Sequence, residues 1–191
     1  MPSDTPPISL IVFAGSKRIA QGSTADVLAQ LQERKDDTPY LVFDEQTGEP
    51  LDFDVHNRAG VPTPTASTEA HGETPRGVGR PKLGVVAREV TLLPRHWDWL
   101  NRQPGGASVA LRRLVQEASR VNADRDAVRA SREAAYRFMT AIAGDLPGFE
   151  EATRALFAGE RERFEALIGA WPADLRTHLQ KLSAAGWSTT A

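Results

Sequence analysis

The chain has 191 residues, a mean hydropathy of −0.38 and a net charge of −2, and 40% of its residues are hydrophobic. These values are typical of globular proteins and exclude a wholly disordered chain. The absence of cysteine excludes disulfides, thiolate metal sites and cysteine nucleophiles. The longest apolar run, residues 8–14, is too short to span a bilayer, and MPSDTPP lacks the basic segment of a signal peptide. We therefore expect a cytoplasmic protein that does not enter a membrane.

Residues 8–58 predict a small mixed α/β unit. The apolar run ISLIVFAG predicts a strand, and RIAQG predicts a second strand after a turn at GSKR. Ser23 or Thr24 is placed to cap a helix that runs to about Lys35. YLVFD and PLDFDV predict two further strands around the turn EQTGE. The predicted order is strand–strand–helix–strand–strand.

Residues 59–84 predict a flexible linker, because they are rich in Pro, Gly, Thr and Ala and nearly free of large apolar side chains. The linker ends in a basic stretch that contains Arg76 and the sequence GRPK, with Arg80 and Lys82. GRP resembles the centre of an AT-hook, an extended peptide that lies in the minor groove of A·T-rich DNA. A full hook has an arginine where Val78 stands, and the alternative interpretation is a solvated basic linker.

Charge is segregated along the chain. Residues 1–75 carry 5 basic and 12 acidic side chains, and residues 76–120 carry 9 and 3. Residues 121–191 carry 9 basic and 10 acidic side chains. The middle segment is therefore at +6 in an acidic protein, and it is where a polyanion such as DNA would bind.

Residues 85–120 predict a strand at 85–92 and two helices at 94–102 and 108–120, separated by the breaker QPGG. Ser108 occupies the position expected for the cap of the second helix. Apolar side chains at helical spacing predict the buried face of that helix: Val109, Leu111, Leu114, Val115 and Ala118.

This order resembles the ribbon-helix-helix DNA-binding fold, in which strands of two chains pair and enter the major groove. The resemblance implies a homodimer, with the amides of residues 106–109, including Ser108, clamping a phosphate. Arg112 and Arg113 follow one turn later, where they would contact backbone phosphates. Alternate residues of the predicted strand point to opposite faces, so two assignments of the DNA-facing side are possible. In the first, Thr91 and Glu89 face outward. In the second, which is shifted by one residue, Arg88 faces outward. Glu89 departs from the basic or amide side chains usual there, and the alternative is that strand and helices belong to a mixed core.

Residues 121–186 predict a helical region that offers a surface for a protein partner. Apolar residues recur there at helical spacing in four groups. These groups are Ala135, Phe138, Met139 and Ile142; Phe149, Ala152, Thr153 and Leu156; Phe164, Leu167, Ile168 and Trp171; and Leu175, His178, Leu179 and Leu182.

Signals for catalysis are weak. Five carboxylates lie around the predicted hairpin at 44–54, where paired acids can bind a divalent cation but more often solvate a turn. The histidines share no metal-ligand spacing, and His178 on an apolar helical face predicts a core position. Trp97 and Trp99 are candidates for base stacking, although this spacing favours at least one of them in the core. We therefore expect no enzyme activity, no metal and no cofactor.

Two long stretches are similar to an uncharacterised bacterial family of unknown function, number 2239 in that nomenclature. They are GRPKLGVVAREVTLLPRHWDWLNRQPGGASVALRRLVQEAS and AAYRFMTAIAGDLPGFEEATRALFAGERERFEALIGAWPADLR, and FDEQTGEPLDFDV fits as well. The resemblance implies a bacterial protein and no particular activity.

The fold class predicted is α+β, with a small N-terminal α/β unit, a linker, a strand–helix–helix unit and a C-terminal helical region. The function predicted is that of a DNA-binding homodimer, either a transcription regulator or a chromatin-associated protein. The alternative is a protein-interaction or adaptor module that neither binds nucleic acid nor catalyses a reaction.

Overall fold

A computed structural model describes residues 8–34, 38–52, 86 and 88–187. The chain divides into two compact units. The first comprises Met1–Thr65 and Asp124–Ala191, and the second comprises Ala66–Ala123. The predicted linker at 59–84 lies outside the described residues.

The first unit contains a four-stranded antiparallel sheet in the order β2-β1-β3-β4. Its strands are β1 (Ser9–Ala14), β2 (Lys17–Ser23), β3 (Leu41–Asp44) and β4 (Pro50–Leu51). Helix α1 (Thr24–Gln32) lies between β2 and β3 in the chain, so the predicted order of elements is confirmed.

The sheet is covered on both faces, which explains why β1 is apolar without alternation. Leu10 and Val12 point into a core shared with α1. Ile11 and Phe13 point into a second core formed with the C-terminal helices. The N-terminal sheet and the helices after residue 124 therefore pack as one unit, whereas the sequence pattern treats 8–58 and 121–186 as separate segments.

Helix α1 begins at a capping box. The Ser23 hydroxyl accepts a hydrogen bond from the amide of Asp26 (3.3 Å), and the Asp26 carboxylate accepts one from the amide of Ser23 (3.1 Å). Together they satisfy two amides that the first helical turn leaves unpaired. The prediction of a cap at this position is confirmed, and the helix ends at Gln32, before the expected Lys35.

The rest of the described chain is helical from residue 94 onward. The helices are α2 (Pro94–Asn101), α3 (Gly106–Ile142), α4 (Phe149–Ala158), α5 (Arg161–Ile168) and α6 (Ala173–Leu182), followed by a 3-10 turn at Ala184–Trp187. The 37-residue α3 continues past residue 120, where the second predicted helix stops. No glycine or proline interrupts residues 107–143, so nothing in the backbone ends the helix there.

The C-terminal helices bury the apolar groups that their spacing predicts. The large side chains at the centre of this core are Phe138, Met139, Leu156, Phe164, Ile168, Leu175 and Leu179. His178 is buried with them, at 4% exposure, as predicted.

The strand predicted at 85–92 is absent from the described part of that segment. Residues 86 and 88–93 have no regular secondary structure, and residues 85 and 87 lie outside the described residues. A strand requires a second strand to satisfy its amides and carbonyls. The predicted ribbon would obtain that strand from a second chain, so its pairing stays a prediction.

Candidate nucleic-acid interface

The residues predicted to bind DNA fall into two groups. Arg76, Arg80 and Lys82, with the AT-hook-like GRPK sequence, lie outside the described residues. The other five are described, and all of them are exposed: Arg88, Thr91, Ser108, Arg112 and Arg113.

Helix α3 begins at Gly106 rather than after a cap at Ser108, so the predicted cap is wrong. Gly105 and Gly106 adopt positive φ angles of 83° and 75°, a backbone conformation that favours glycine. Ser108 consequently lies within the first helical turn. The amide of Gly106 donates to the carbonyl of Gln103 (2.9 Å), which removes it from the predicted phosphate clamp. The amides of Ala107 and Ser108 remain at the helix start, where amides have no partner within the helix.

The first half of α3 has a basic face. At about 100° per residue, Arg112, Arg113, Gln116 and Arg120 fall within roughly 100° of arc. Arg112 is held by a hydrogen bond from its Nε to the carbonyl of Ser108 (3.2 Å). Arg120 pairs with Glu117 at 2.9 Å, but both side chains are more than half exposed. An exposed pair of this kind is weak, so a phosphate can compete for the arginine.

The face of α3 that was predicted to be buried is largely exposed in this single chain, so that prediction is wrong. Val109, Leu114 and Val115 are 46%, 44% and 63% exposed. Ala118 is exposed and Leu111 is half-buried. Helical spacing predicts which side chains share a face, but burial depends on what packs against that face.

Both tryptophans of α2 are exposed, at 36% for Trp97 and 45% for Trp99. The prediction that at least one of them belongs to a core is therefore wrong. Leu100 is the residue that α2 buries. The indole faces remain accessible to a partner.

A buried polar cluster at the edge of the sheet was not predicted. Glu45 is 6% exposed and accepts hydrogen bonds from the Ser9 hydroxyl, the Gln21 amide (2.6 Å) and the Lys181 ammonium. Burial would raise the pKa of Glu45. The hydrogen bond from Lys181 and, as a smaller effect, the hydrogen bond from Ser9 instead hold this pKa below its usual value. Through these three hydrogen bonds the cluster joins α6 to the sheet.

Asp44, another of the hairpin acids, also has structural contacts. Asp44 Oδ1 accepts hydrogen bonds from the amides of Gln46 (2.8 Å) and Thr47 (2.7 Å), which closes the turn between β3 and β4. Among the described residues, no three His, Asp or Glu side chains are placed to hold a metal ion. No helix in the described part of the chain is long and apolar enough to cross a membrane.

The fold and surface define an α+β protein in which an antiparallel sheet packs on C-terminal helices and a long helix exposes a basic face. The family described as "Uncharacterized protein conserved in bacteria (DUF2239)" matches residues 9–183, and the chain belongs to it. The comparisons found no similar curated protein and no similar solved structure.

Proposed function

We propose that this protein binds duplex DNA as a homodimer, through its basic middle segment, in a regulatory or chromatin-associated role without catalysis or a cofactor. The observation that carries the proposal is the basic face of α3. Arg112, Arg113 and Arg120 are exposed together within the +6 segment of an otherwise acidic chain. Arginines spaced along one exposed helix face suit backbone phosphates, because their charge and their N–H donors match phosphate oxygens.

The proposed mode of binding depends little on the base sequence of the DNA. Phosphate contacts position a protein on DNA without reading bases. Exposed Glu89, between Arg88 and Thr91, opposes close approach to phosphates along residues 88–93. Arg76, Arg80 and Lys82 are proposed to add minor-groove contacts, since a narrow A·T-rich groove attracts arginine and lysine.

The test is fluorescence anisotropy of the full-length protein on A·T-rich and G·C-rich duplexes over a series of salt concentrations. The logarithm of the affinity should fall linearly with the logarithm of salt, by about 0.9 for each phosphate contacted. Arg112→Ala with Arg113→Ala should weaken binding to both duplexes and reduce this slope by about 2 for each chain, which is about 4 for the dimer.

A matched control is Arg154→Ala with Arg163→Ala. These arginines are also exposed, but they pair with Glu150 and Glu160 at 3.0 Å in the C-terminal region, whose charge is near balance. The control should leave affinity and slope unchanged. Absence of binding at low salt, or equal losses in the two double variants, would refute the proposal.

The second candidate function is a protein-interaction module. The observation that favours it is the exposed apolar surface of the second unit, which includes Trp97, Trp99 and Leu114. Several large exposed apolar side chains close together in the chain suit a surface that a partner covers. A protein that shows no DNA binding at low salt, but loses a bound partner on Leu114→Glu, would support this function instead.

A further inference from the structure

The two tryptophans of α2 have different neighbours on the surface of that helix. On a helix, the neighbours of a side chain are the residues three and four positions to either side. For Trp97 they are Leu93, Pro94, Leu100 and Asn101. Three of these four are apolar, and Leu100 is the residue that α2 buries. Trp97 therefore borders the buried side of α2.

The neighbours of Trp99 along α2 are all polar. They are Arg95, His96, Arg102 and Gln103. At about 100° per residue, Trp99 lies roughly 160° around the helix from Trp97. The indole of Trp99 is 45% exposed. It is therefore a large aromatic side chain on the exposed side of α2, with no apolar neighbour on the helix.

Two cations lie on either side of this indole along the helix axis. Arg95 is four positions before Trp99 and Arg102 is three positions after it, so the two arginines are about 10 Å apart at 1.5 Å per residue. Both are exposed, and neither is paired with a carboxylate of the described residues. We call Arg95, Trp99 and Arg102 the α2 stripe.

We propose that the α2 stripe binds single-stranded nucleic acid, with one unpaired base stacked on Trp99 and backbone phosphates on Arg95 and Arg102. Every base has a flat π face, and aromatic side chains combined with positive charge bind single strands without reading their sequence. The base must be unpaired, because in a duplex the neighbouring base pairs already cover its faces.

The surroundings of Trp99 favour a base over a protein surface as the occupant. Stable protein interfaces bury roughly 800 Å² per partner around an apolar centre. The α2 stripe presents one indole between two cations, which suffices for one nucleotide but does not form such a centre. The charge agrees with this choice, because the stripe lies in the +6 segment and Asp98 is the one acid of α2.

The inference rests on the proposed function in expecting a nucleic acid, and it adds a second site on other residues. Contacts to duplex phosphates are assigned to Arg112 and Arg113 of α3, whereas the unpaired base is assigned to Trp99 of α2. The two sites can therefore be tested separately.

The test is a titration of the full-length protein with oligothymidylate and with oligouridylate at low salt, followed by the quenching of tryptophan fluorescence. Neither strand pairs with itself, and a base stacked on an indole quenches its emission. Trp99→Leu should weaken binding by about 5- to 150-fold, the loss expected for one stacked base, and should remove most of the quenching. Trp99→Phe retains an aromatic ring and should lose less. The two strands distinguish DNA from RNA as the ligand, and Trp99-dependent binding of either supports the inference.

The matched control is Trp97→Leu, which removes an indole from the other side of α2 and should leave affinity and quenching unchanged. Arg95→Ala with Arg102→Ala should reduce the slope of log affinity against log salt by about 1.4 for each chain. This double variant changes exposed charges only, so it decides the question if far-ultraviolet circular dichroism shows that Trp99→Leu loses helix. Asp98→Asn should strengthen binding, because it removes a negative charge beside the stripe.

The inference is overturned if neither strand quenches the wild-type protein, or if Trp99→Leu binds as tightly as wild type. Equal losses in Trp97→Leu and Trp99→Leu would also overturn it. Single-strand binding that depends on Trp99, in a protein that binds no duplex, would refute the proposed function and leave the α2 site standing. Duplex binding that depends on Arg112 and Arg113, without quenching that depends on Trp99, would do the opposite.

Discussion

Acidification should destabilise the first unit through His178. Its ring is buried on α6, with ring centroids 4.7 Å from Phe138 and 5.9 Å from Phe13. Burial lowers the pKa of His178 from 6.5 to about 4, and the charges of Lys181 and Arg18 also lower it, while Glu45 opposes them. Its Nε2 atom is buried without a hydrogen-bond partner, so the neutral ring is the form that fits.

The sign of the effect follows from comparing the folded and unfolded chains. Between pH 6.5 and pH 4 the unfolded chain protonates this histidine, while the folded chain keeps it neutral. Protons therefore favour the unfolded state in that range. The contribution of His178 is fully present above about pH 6.5 and is lost as the pH falls to about 4, a total of about 3 kcal/mol.

The assay is urea unfolding at several pH values between 7 and 5. From His178 alone, the free energy of unfolding should fall by about 2 kcal/mol over this range. His178→Met, which fills the space with a side chain that does not titrate, should remove that part of the pH dependence. His96→Gln, at an exposed histidine of α2, is the matched control and should retain it. The reasoning fails if His178→Met loses as much stability between pH 7 and 5 as the wild-type protein does.

Two further substitutions test how the first unit is built, both by urea unfolding at pH 7. Gly48→Ala should cost at least about 2 kcal/mol, because φ is +64° and a Cβ would lie 2.2 Å from the carbonyl oxygen of Ala134. Gly15→Ala, at φ +53° with open space around it, is the control and should cost only about 1 kcal/mol, and equal losses would contradict the role of the close approach. Ser23→Ala should cost about 1 kcal/mol through loss of the α1 cap, and an unchanged free energy of unfolding would show that the capping box contributes nothing.

The parts of the fold that follow from local signals were predicted from the sequence. The run ISLIVFAG indicates a strand, and Ser23 marks the start of α1. Helical spacing in the C-terminal region predicts a buried face that includes Phe138 and Leu179. In each case the residues that determine the element lie within a few positions of one another, so the local sequence pattern is sufficient to predict it.

Features that depend on distant contacts were not predictable in this way. Glu45 and Lys181 form a hydrogen bond although they are 136 positions apart in the chain. Nothing in the residues around either one indicates that they meet. The hairpin pattern suggested solvated acids, yet α6 covers Glu45. For the candidate DNA interface, the sequence indicated the positive charge and the helices. It did not indicate that Leu114 and Val115 lack cover, because spacing fixes the direction of a side chain and not its neighbours.

The shared core of the first unit limits how the function can be tested. Removal of residues 1–58 would leave Phe138 and His178 without Phe13 and Phe43, which contact them. Loss of DNA binding or of a protein partner after that deletion would then report an unfolded helical region rather than a missing binding surface. Exposed charged positions such as Arg113 avoid this difficulty, because a change there alters the surface and not the core. Point variants on the basic face of α3 are therefore the experiments that can separate a lost DNA contact from a lost fold.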